Sequence, residues 1–334
     1  MKEYTNKTAL SFDDIMLVPQ YSDIEHRSDI SLQTTIGVHH PITLLTPIIS
    51  APMDTVSESE MCVALGEVYA YGSIHRYMSI EEQLYIADKL ISNHHSPFFA
   101  IGATGDYIEH AIALMSKGVN KFIIDTANGH SEIAIKAVKE LRQFPIHIMA
   151  GNVSTWEGFK RLSDAGADSI RVGIGGGAAC TTRTVTGHGI PTLASIMDIA
   201  SKRGKKDASI IADGGIRNSG DMVKAFAAGA DAVMLGSLLA GHAECPVAST
   251  NGLMEFRGMA SEAAQIDRGR VSVVEGLSTK VKYKGSVRDT LTTLRNGLLS
   301  GCSYAGVSRL QDLKDEALFI RVSTLSNKET RKKV

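Results

Sequence analysis

The chain has 334 residues, 43% of them hydrophobic and 21% charged, a composition that fits a globular protein with a core large enough for two ordinary domains or one large barrel. Thirty-five Lys and Arg against 36 Asp and Glu leave a formal net charge of −1, so no global positive field draws the protein to nucleic acid or a membrane surface, and any anion must be bound locally. No apolar stretch approaches the roughly 20 residues of a membrane span, and the polar start Met1-Lys2-Glu3-Tyr4 is unlike a signal peptide, so the expected location is the cytoplasm.

In chain order, short apolar runs recur at 47–52, 72–75, 98–102, 122–125, 147–151, 169–172, 210–213 and 232–235. Between them lie segments with apolar residues at three- and four-residue spacing, among them 108–118, 131–144, 155–165 and 218–228, with closing glycines at Gly118, Gly166 and Gly229. Strand and helix therefore alternate, which implies parallel strands joined by crossover helices. A count of eight favours a closed (β/α)8 barrel, the TIM-barrel architecture, over an open doubly wound sheet. The repeated Gly166-Ala167-Asp168 and Gly229-Ala230-Asp231 mark helix ends that lead into the next strand.

In such a barrel the chemistry sits at the C-terminal ends of the strands. The residues there are Met53-Asp54-Thr55, Asp125-Thr126-Ala127-Asn128-Gly129, Gly151-Asn152, the run from Gly175 to Cys180, Asp213-Gly214-Gly215 and Gly236-Ser237. Glycine turns after the last two strands offer backbone N–H groups to a phosphate, so a phosphorylated ligand is implied. Cys180 closes Gly173-Ile174-Gly175-Gly176-Gly177-Ala178-Ala179 and is followed at once by Thr181-Thr182-Arg183, a setting that suits a nucleophilic thiol. The other cysteines, Cys62, Cys245 and Cys302, stand far apart with no Cys-x-x-Cys pair, which argues against a disulfide framework or a zinc site. The adjacent pairs His39-His40 and His94-His95 lack ligand spacing and read as surface or loop histidines.

The run from Gly173 to Arg183, with 50–56, 212–217, 234–237, Arg257-Gly258-Met259 and Tyr283-Lys284-Gly285, resembles the IMP dehydrogenase and GMP reductase family from about Leu10 to Val322. The resemblance implies one barrel domain over 1–334 without inserted regulatory modules, with a short flap at about 260–282, a tail at about 321–334 and a homotetrameric assembly. It implies a purine nucleoside monophosphate, GMP or IMP, attacked at C2 by Cys180, and a nicotinamide cofactor that exchanges hydride with that carbon. Thr182 and Glu275 would be the acid–base pair, because a departing amine needs protonation. Asp213 would hold the ribose, and Gly214, Gly215, Gly236, Ser237, Gly258 and Met259 the rest of the nucleotide. Arg76, Asp125, Thr126, Ala127 and Asn128, with Ser300-Gly301-Cys302-Ser303, would serve the cofactor. Gly175, Gly177, Cys180 and Arg183 would hold a monovalent cation, potassium. Gly176 stands where the family has proline, so potassium is either more important for ordering this loop or dispensable in it.

Two reactions share the covalent purine intermediate, and the handling of water separates them. Dehydrogenases of the family carry an Arg-Tyr pair on a long flap, whereas here Glu275 stands only sixteen positions after Met259 with no such pair between them. About twenty residues join the second and third strands, with no inserted module. The expected activity is therefore NADPH-dependent reduction of GMP to IMP and ammonia, Arg76 keeping a positive charge near the cofactor phosphate. The alternatives are an IMP dehydrogenase lacking regulatory modules, making XMP with NAD, and a phosphorylated-ligand barrel without redox activity.

Overall fold

A computed structural model describes residues 8–267, 269 and 273–323. Eight parallel strands, β1 (Ile48–Ser50), β2 (Ser73–Ile74), β3 (Phe98–Ile101), β4 (Lys121–Asp125), β5 (His147–Val153), β6 (Ser169–Val172), β7 (Ser209–Asp213) and β8 (Ala232–Leu235), pair in sequence, and β8 pairs back onto β1. Ser50 N–H donates to the Tyr71 carbonyl at 3.0 Å and Tyr71 N–H to the Ile48 carbonyl at 3.0 Å, which closes the ring between β1 and β2. The fold is the expected (β/α)8 TIM barrel.

Strand alternation builds two apolar layers. Ile49, Phe98, Ala100, Ile123, Met149, Ile211 and Met234 fill the barrel, while their neighbours Ile48, Phe99, Phe122, Ile124, Ile148, Ile210 and Val233 pack under the helices. The helices among the described residues are α1 (Ser59–Glu67), α2 (Ile80–Ser92), α3 (Tyr107–Ser116), α4 (Glu132–Leu141), α5 (Trp156–Asp164), the one-turn α6 (Thr182–Thr186), α7 (Thr192–Lys202), α8 (Ser219–Ala227), α9 (Glu262–Ile266), the long α10 (Val287–Ala305) and the short α11 (Leu313–Glu316). Side-chain caps start α2 at Ser79, α5 at Thr155, α8 at Asn218 and α10 at Ser286, each accepting a backbone N–H of the first turn.

The two Gly-Ala-Asp repeats do the same work. Gly166 and Gly229 both take φ +106°, a left-handed conformation that turns the chain from helix to strand. Asp168 then accepts Ile148 N–H at 2.9 Å and pairs with Arg142 at the end of α4; Asp231 accepts Ile210 N–H at 2.7 Å and pairs with Arg203 at the end of α7.

A hairpin that the run of eight strands does not include, Thr34–Ile36 with Ile42–Leu44, plugs the N-terminal mouth and adds buried Ile36 and Leu44 to the inner layer. His39 and His40 belong to its turn, and their N–H groups each donate to Asp168 at 2.8 Å. Beneath the plug His147 bonds the His40 carbonyl through Nδ1 and Ser169 Oγ through Nε2, each at 2.8 Å. Burial pushes its imidazole down to about 4, so it is neutral at pH 7 and Nδ1 carries the proton.

Two further ribbons flank the barrel. Ile15–Leu17 pairs antiparallel with Phe319–Arg321, and Leu253–Arg257 with Ser278–Lys282. The latter is the stem of the expected flap, while the tail beyond 323, with Arg331-Lys332-Lys333, lies outside the described residues.

Candidate active site

A cavity of about 510 Å³ opens at the C-terminal ends of the strands and is lined by Cys180, Thr182, Glu275, Asp213, Gly214, Gly215, Gly236, Ser237, Gly258 and Met259. Asp125, Thr126, Ala127 and Arg76 line the same cavity, as do Gly175 and Gly177. Residues 76 to 275 in sequence thus meet around one space.

The nucleophile loop leaves β6 at Val172. Gly173 takes φ +142°, and a Cβ there would stand 2.0 Å from the Asp213 carbonyl, so the loop passes against the end of β7 as only glycine allows. Cys180 is half-buried, its Sγ 3.2 Å from Thr182 Oγ1, and Thr182 Oγ1 donates to Glu275 Oε2 at 2.9 Å. Backbone bonds hold this chain of three: Thr181 N–H donates to the Glu275 carbonyl at 2.9 Å, Leu277 N–H to the Ala179 carbonyl at 2.9 Å, and Glu275 N–H to the Ala260 carbonyl at 3.0 Å. A thiol proton can therefore pass through one hydroxyl to a carboxylate, and return by the same route.

Arg183 faces elsewhere. Its Nη2 donates to the Ile190 carbonyl at 2.9 Å and its stem covers Gly175 and Gly189, so the side chain is engaged outside the cavity lining. The Arg183 carbonyl accepts Gly187 N–H and the Gly177 carbonyl accepts Cys180 N–H, each at 3.1 Å.

Gly176 has a steric reason. A Cβ at this position would stand 2.6 Å from Oγ1 of Thr192, a buried hydroxyl that takes no partner among the described residues. Thr192 occupies the space that a larger residue at 176 would use. Gly176→Ala is expected to lower stability by about 1–3 kcal/mol through overpacking and to reduce turnover, and adding Thr192→Ala in the same chain should restore both. Thermal denaturation and initial rates of the two variants check this.

On the opposite wall, Asp125 is held by Arg171 Nη1 at 2.7 Å and Arg76 Nε at 3.3 Å. Burial alone would raise its carboxyl, but the two guanidinium groups outweigh that and keep it below the ordinary carboxylate range. Arg76 also lies over the Tyr77 ring, 4.7 Å from its centroid. Asp213 Oδ2 accepts Asn152 Nδ2 at 2.7 Å and Arg171 Nε at 3.0 Å.

Several expected residues do other work or lie elsewhere. Asn128 is exposed and its Oδ1 accepts His130 N–H at 3.1 Å in a local turn. Asp54, at the end of β1, anchors the flap stem by pairing with Arg257 at 2.8 Å. Ser300, Gly301, Cys302 and Ser303 sit on α10, outside the cavity lining: Gly301 presses on Val223 of α8, and burial pushes the Cys302 thiol up to about 12. Arg171, Tyr77 and Gln265 line the cavity without having been singled out. For Arg171 a signal existed, a charged residue inside the apolar strand Ser169-Ile170-Arg171-Val172, which requires buried partners.

A family model described as the IMP dehydrogenase / GMP reductase domain matches residues 9–333. The chain is 37% identical to GMP reductase 1 of Rattus norvegicus over 95% of its length and 96% of that protein. It is 31% identical to an inosine-5'-monophosphate dehydrogenase of Nitrosopumilus maritimus, over 95% and 96%. A GMP reductase variant from Trypanosoma brucei, solved in complex with guanosine 5'-monophosphate, superposes with a TM-score of 0.92 at 25% identity, covering 97% of each chain. A match that runs almost end to end, on relatives of both kinds, leaves one assignment: this oxidoreductase belongs to the IMP dehydrogenase / GMP reductase family.

Proposed function

We propose that the protein is a GMP reductase, converting GMP, NADPH and two protons to IMP, ammonium and NADP⁺. The observation that carries this reading is the Cys180–Thr182–Glu275 chain, with steps of 3.2 and 2.9 Å. Guanine differs from hypoxanthine by an amino group at C2, which leaves readily as ammonia and hardly at all as amide anion. A proton source beside the nucleophile is therefore the chemical requirement.

The Cys180–Thr182–Glu275 chain supports the following sequence of steps. The Cys180 proton passes through Thr182 to Glu275, and the thiolate attacks C2. The same proton returns through Thr182 to the amino group, the C–N bond breaks, ammonia leaves, and C2 stays bonded to Sγ as a thioimidate. NADPH, held by the wall of Arg76, Tyr77 and Asp125, would supply a hydride to C2. The C–S bond breaks to give IMP, and solvent protons restore the thiol and make ammonium. Asp213 is assigned to the ribose hydroxyls; Gly214, Gly215, Gly236 and Ser237 to the phosphate; and Gly258 and Met259 to the cavity roof.

The wall formed by Arg76, Tyr77, Asp125, Thr126 and Ala127 fits a nicotinamide, with an aromatic face, a carboxylate and backbone polar groups gathered on one side of the cavity. Neutral carbonyls of Gly175, Gly177 and Cys180, each with a second lone pair to offer, fit a monovalent cation such as potassium. A homotetramer acting in the cytoplasm completes the reading; among the described residues no helix is long and apolar enough to cross a membrane.

Chain length adds support. The alignment to the rat reductase runs over 338 positions and that to the Nitrosopumilus dehydrogenase over 460, so this chain lacks the additional length of the latter. Incubating the protein with GMP and NADPH, and separately with IMP and NAD, tests the proposal by product analysis. IMP and ammonium from the first mixture are expected; XMP from the second with no IMP from the first would establish the dehydrogenase reading.

A further inference from the structure

Alternation in β6 sends Ile170 and Val172 outward under the helices and leaves Arg171 facing the barrel mouth, where it is 8% exposed. A guanidinium stays charged at any working pH and must find acceptors when buried. Arg171 finds two. Nη1 lies 2.7 Å from Asp125 Oδ1, while Nε and Nη2 each lie 3.0 Å from Asp213 Oδ2. Arg76 extends the chain of charges beyond Asp125 and Asn152 extends it beyond Asp213. Two guanidinium groups and two carboxylates balance, so the row is neutral as a whole.

The row crosses the cavity floor from the wall assigned to nicotinamide to the wall assigned to ribose, and Arg171 is the member that touches both carboxylates. The bonds that Asp213 makes among the described residues fall on Oδ2, which leaves Oδ1 available to a ligand in the cavity that Asp213 lines. Space for this side chain is also built in. A Cβ at Gly151 would stand 2.6 Å from Arg171 Cβ, so β5 carries glycine where the arginine stem passes.

We infer that Arg171 is a positioning residue that couples the two halves of the site, so that filling the nucleotide half raises affinity in the nicotinamide half. The inference rests on the assignment of Asp213 to ribose and Asp125 to nicotinamide. The fork of Arg171 holds both carboxylates at once. When ligand hydroxyls fix Asp213, the guanidinium is fixed with it, and Asp125 is presented in one orientation before the cofactor arrives. Coupling of this kind is reciprocal, so cofactor must tighten nucleotide by the same factor.

Calorimetry on the full-length protein tests it, with GMP and NADP⁺ as a non-reacting pair titrated alone and together. The wild type is expected to bind each ligand about tenfold more tightly in the presence of the other, a typical coupling. In Arg171→Lys, which keeps the charge but cannot fork to both acids, the factor should fall to within about twofold of unity, on the same scale, and GMP should then promote NADP⁺ binding no more than 2',3'-dideoxyguanosine monophosphate does. The double variant Arg171→Met, Asp125→Asn keeps the row neutral if the lysine chain does not fold, and the same loss is expected. Unchanged coupling in either folded variant, or a wild-type factor of one, would overturn the inference while leaving the reductase reading intact. A wild type that binds GMP no better than its dideoxy analogue would overturn the ribose assignment and the inference with it.

Discussion

Cys180→Ala is expected to abolish turnover, lowering kcat by about four orders of magnitude or more, because among the described residues no other thiol lines the cavity. GMP affinity should change by less than about threefold, since the contacts assigned to phosphate and ribose lie on the turns after β7 and β8. Absorbance of NADPH reports the first quantity and calorimetry the second. Mass spectrometry of wild type quenched during turnover should find the purine attached at Cys180 and nowhere in the alanine variant. A variant that keeps even a hundredth of the wild-type rate would sink the covalent mechanism.

Glu275→Gln should impair the deamination step without disturbing the nucleotide. The amide keeps the volume and can still meet Thr182 Oγ1, the 2.9 Å partner of the carboxylate, but it cannot store the thiol proton and return it. Loss of one acid–base group costs about 10²–10⁴ in rate, so kcat should fall by that amount while KM for GMP moves little. The hydride half of the cycle needs no departing amine. Transfer between IMP and NADP⁺ in a single turnover should therefore survive better than ammonia release, and equal loss of both would remove Glu275 from the role given to it.

Much of the fold could be read directly from residue order, because barrel strands are buried on both faces and appear as short apolar runs between glycines. The runs at 169–172 and 232–235 coincide with β6 and β8, and others differ by a residue or two at an end. Lys121 and Ser209 begin their strands although neither is apolar. Lys121 enters because Nζ donates to Ser96 Oγ at 2.6 Å, and Ser209 because its Oγ accepts Gly37 N–H at 3.0 Å. The plug at 34–44 escaped because Thr34-Thr35-Ile36 is mixed in polarity and gains its apolar surroundings only from the barrel floor. Within the site, the glycine turns and Cys180 stand out locally. Glu275 does not: its partner Thr182 is 93 positions away, and only the resemblance to a family linked them. Arg183 and Arg171 illustrate the remaining limit, since side-chain direction follows from neighbours on other strands. Arg183 is drawn to the Ile190 carbonyl and Arg171 to two acids on β4 and β7.

The bonds that join the flap to the cysteine loop bear on how the cavity entrance communicates with the nucleophile. Ala179, Thr181, Glu275 and Leu277 form a short interlocked seam, and Ser261 N–H closes onto the Gly258 carbonyl at 2.9 Å just before it. Both ends of the intervening segment are thus clamped to the stem and to the nucleophile's own loop. Within the described part of that segment Gln265 Nε2 donates to the Ala260 carbonyl at 3.2 Å and to the Val273 carbonyl at 3.0 Å, and Asp267 pairs with Arg257 at 2.6 Å, so these ties carry the segment on the same frame that sets the distance of Glu275 from the thiol. A change of sequence at the cavity entrance is therefore felt by the proton route unless it preserves those ties, which makes entrance and acid–base chemistry one mechanical unit.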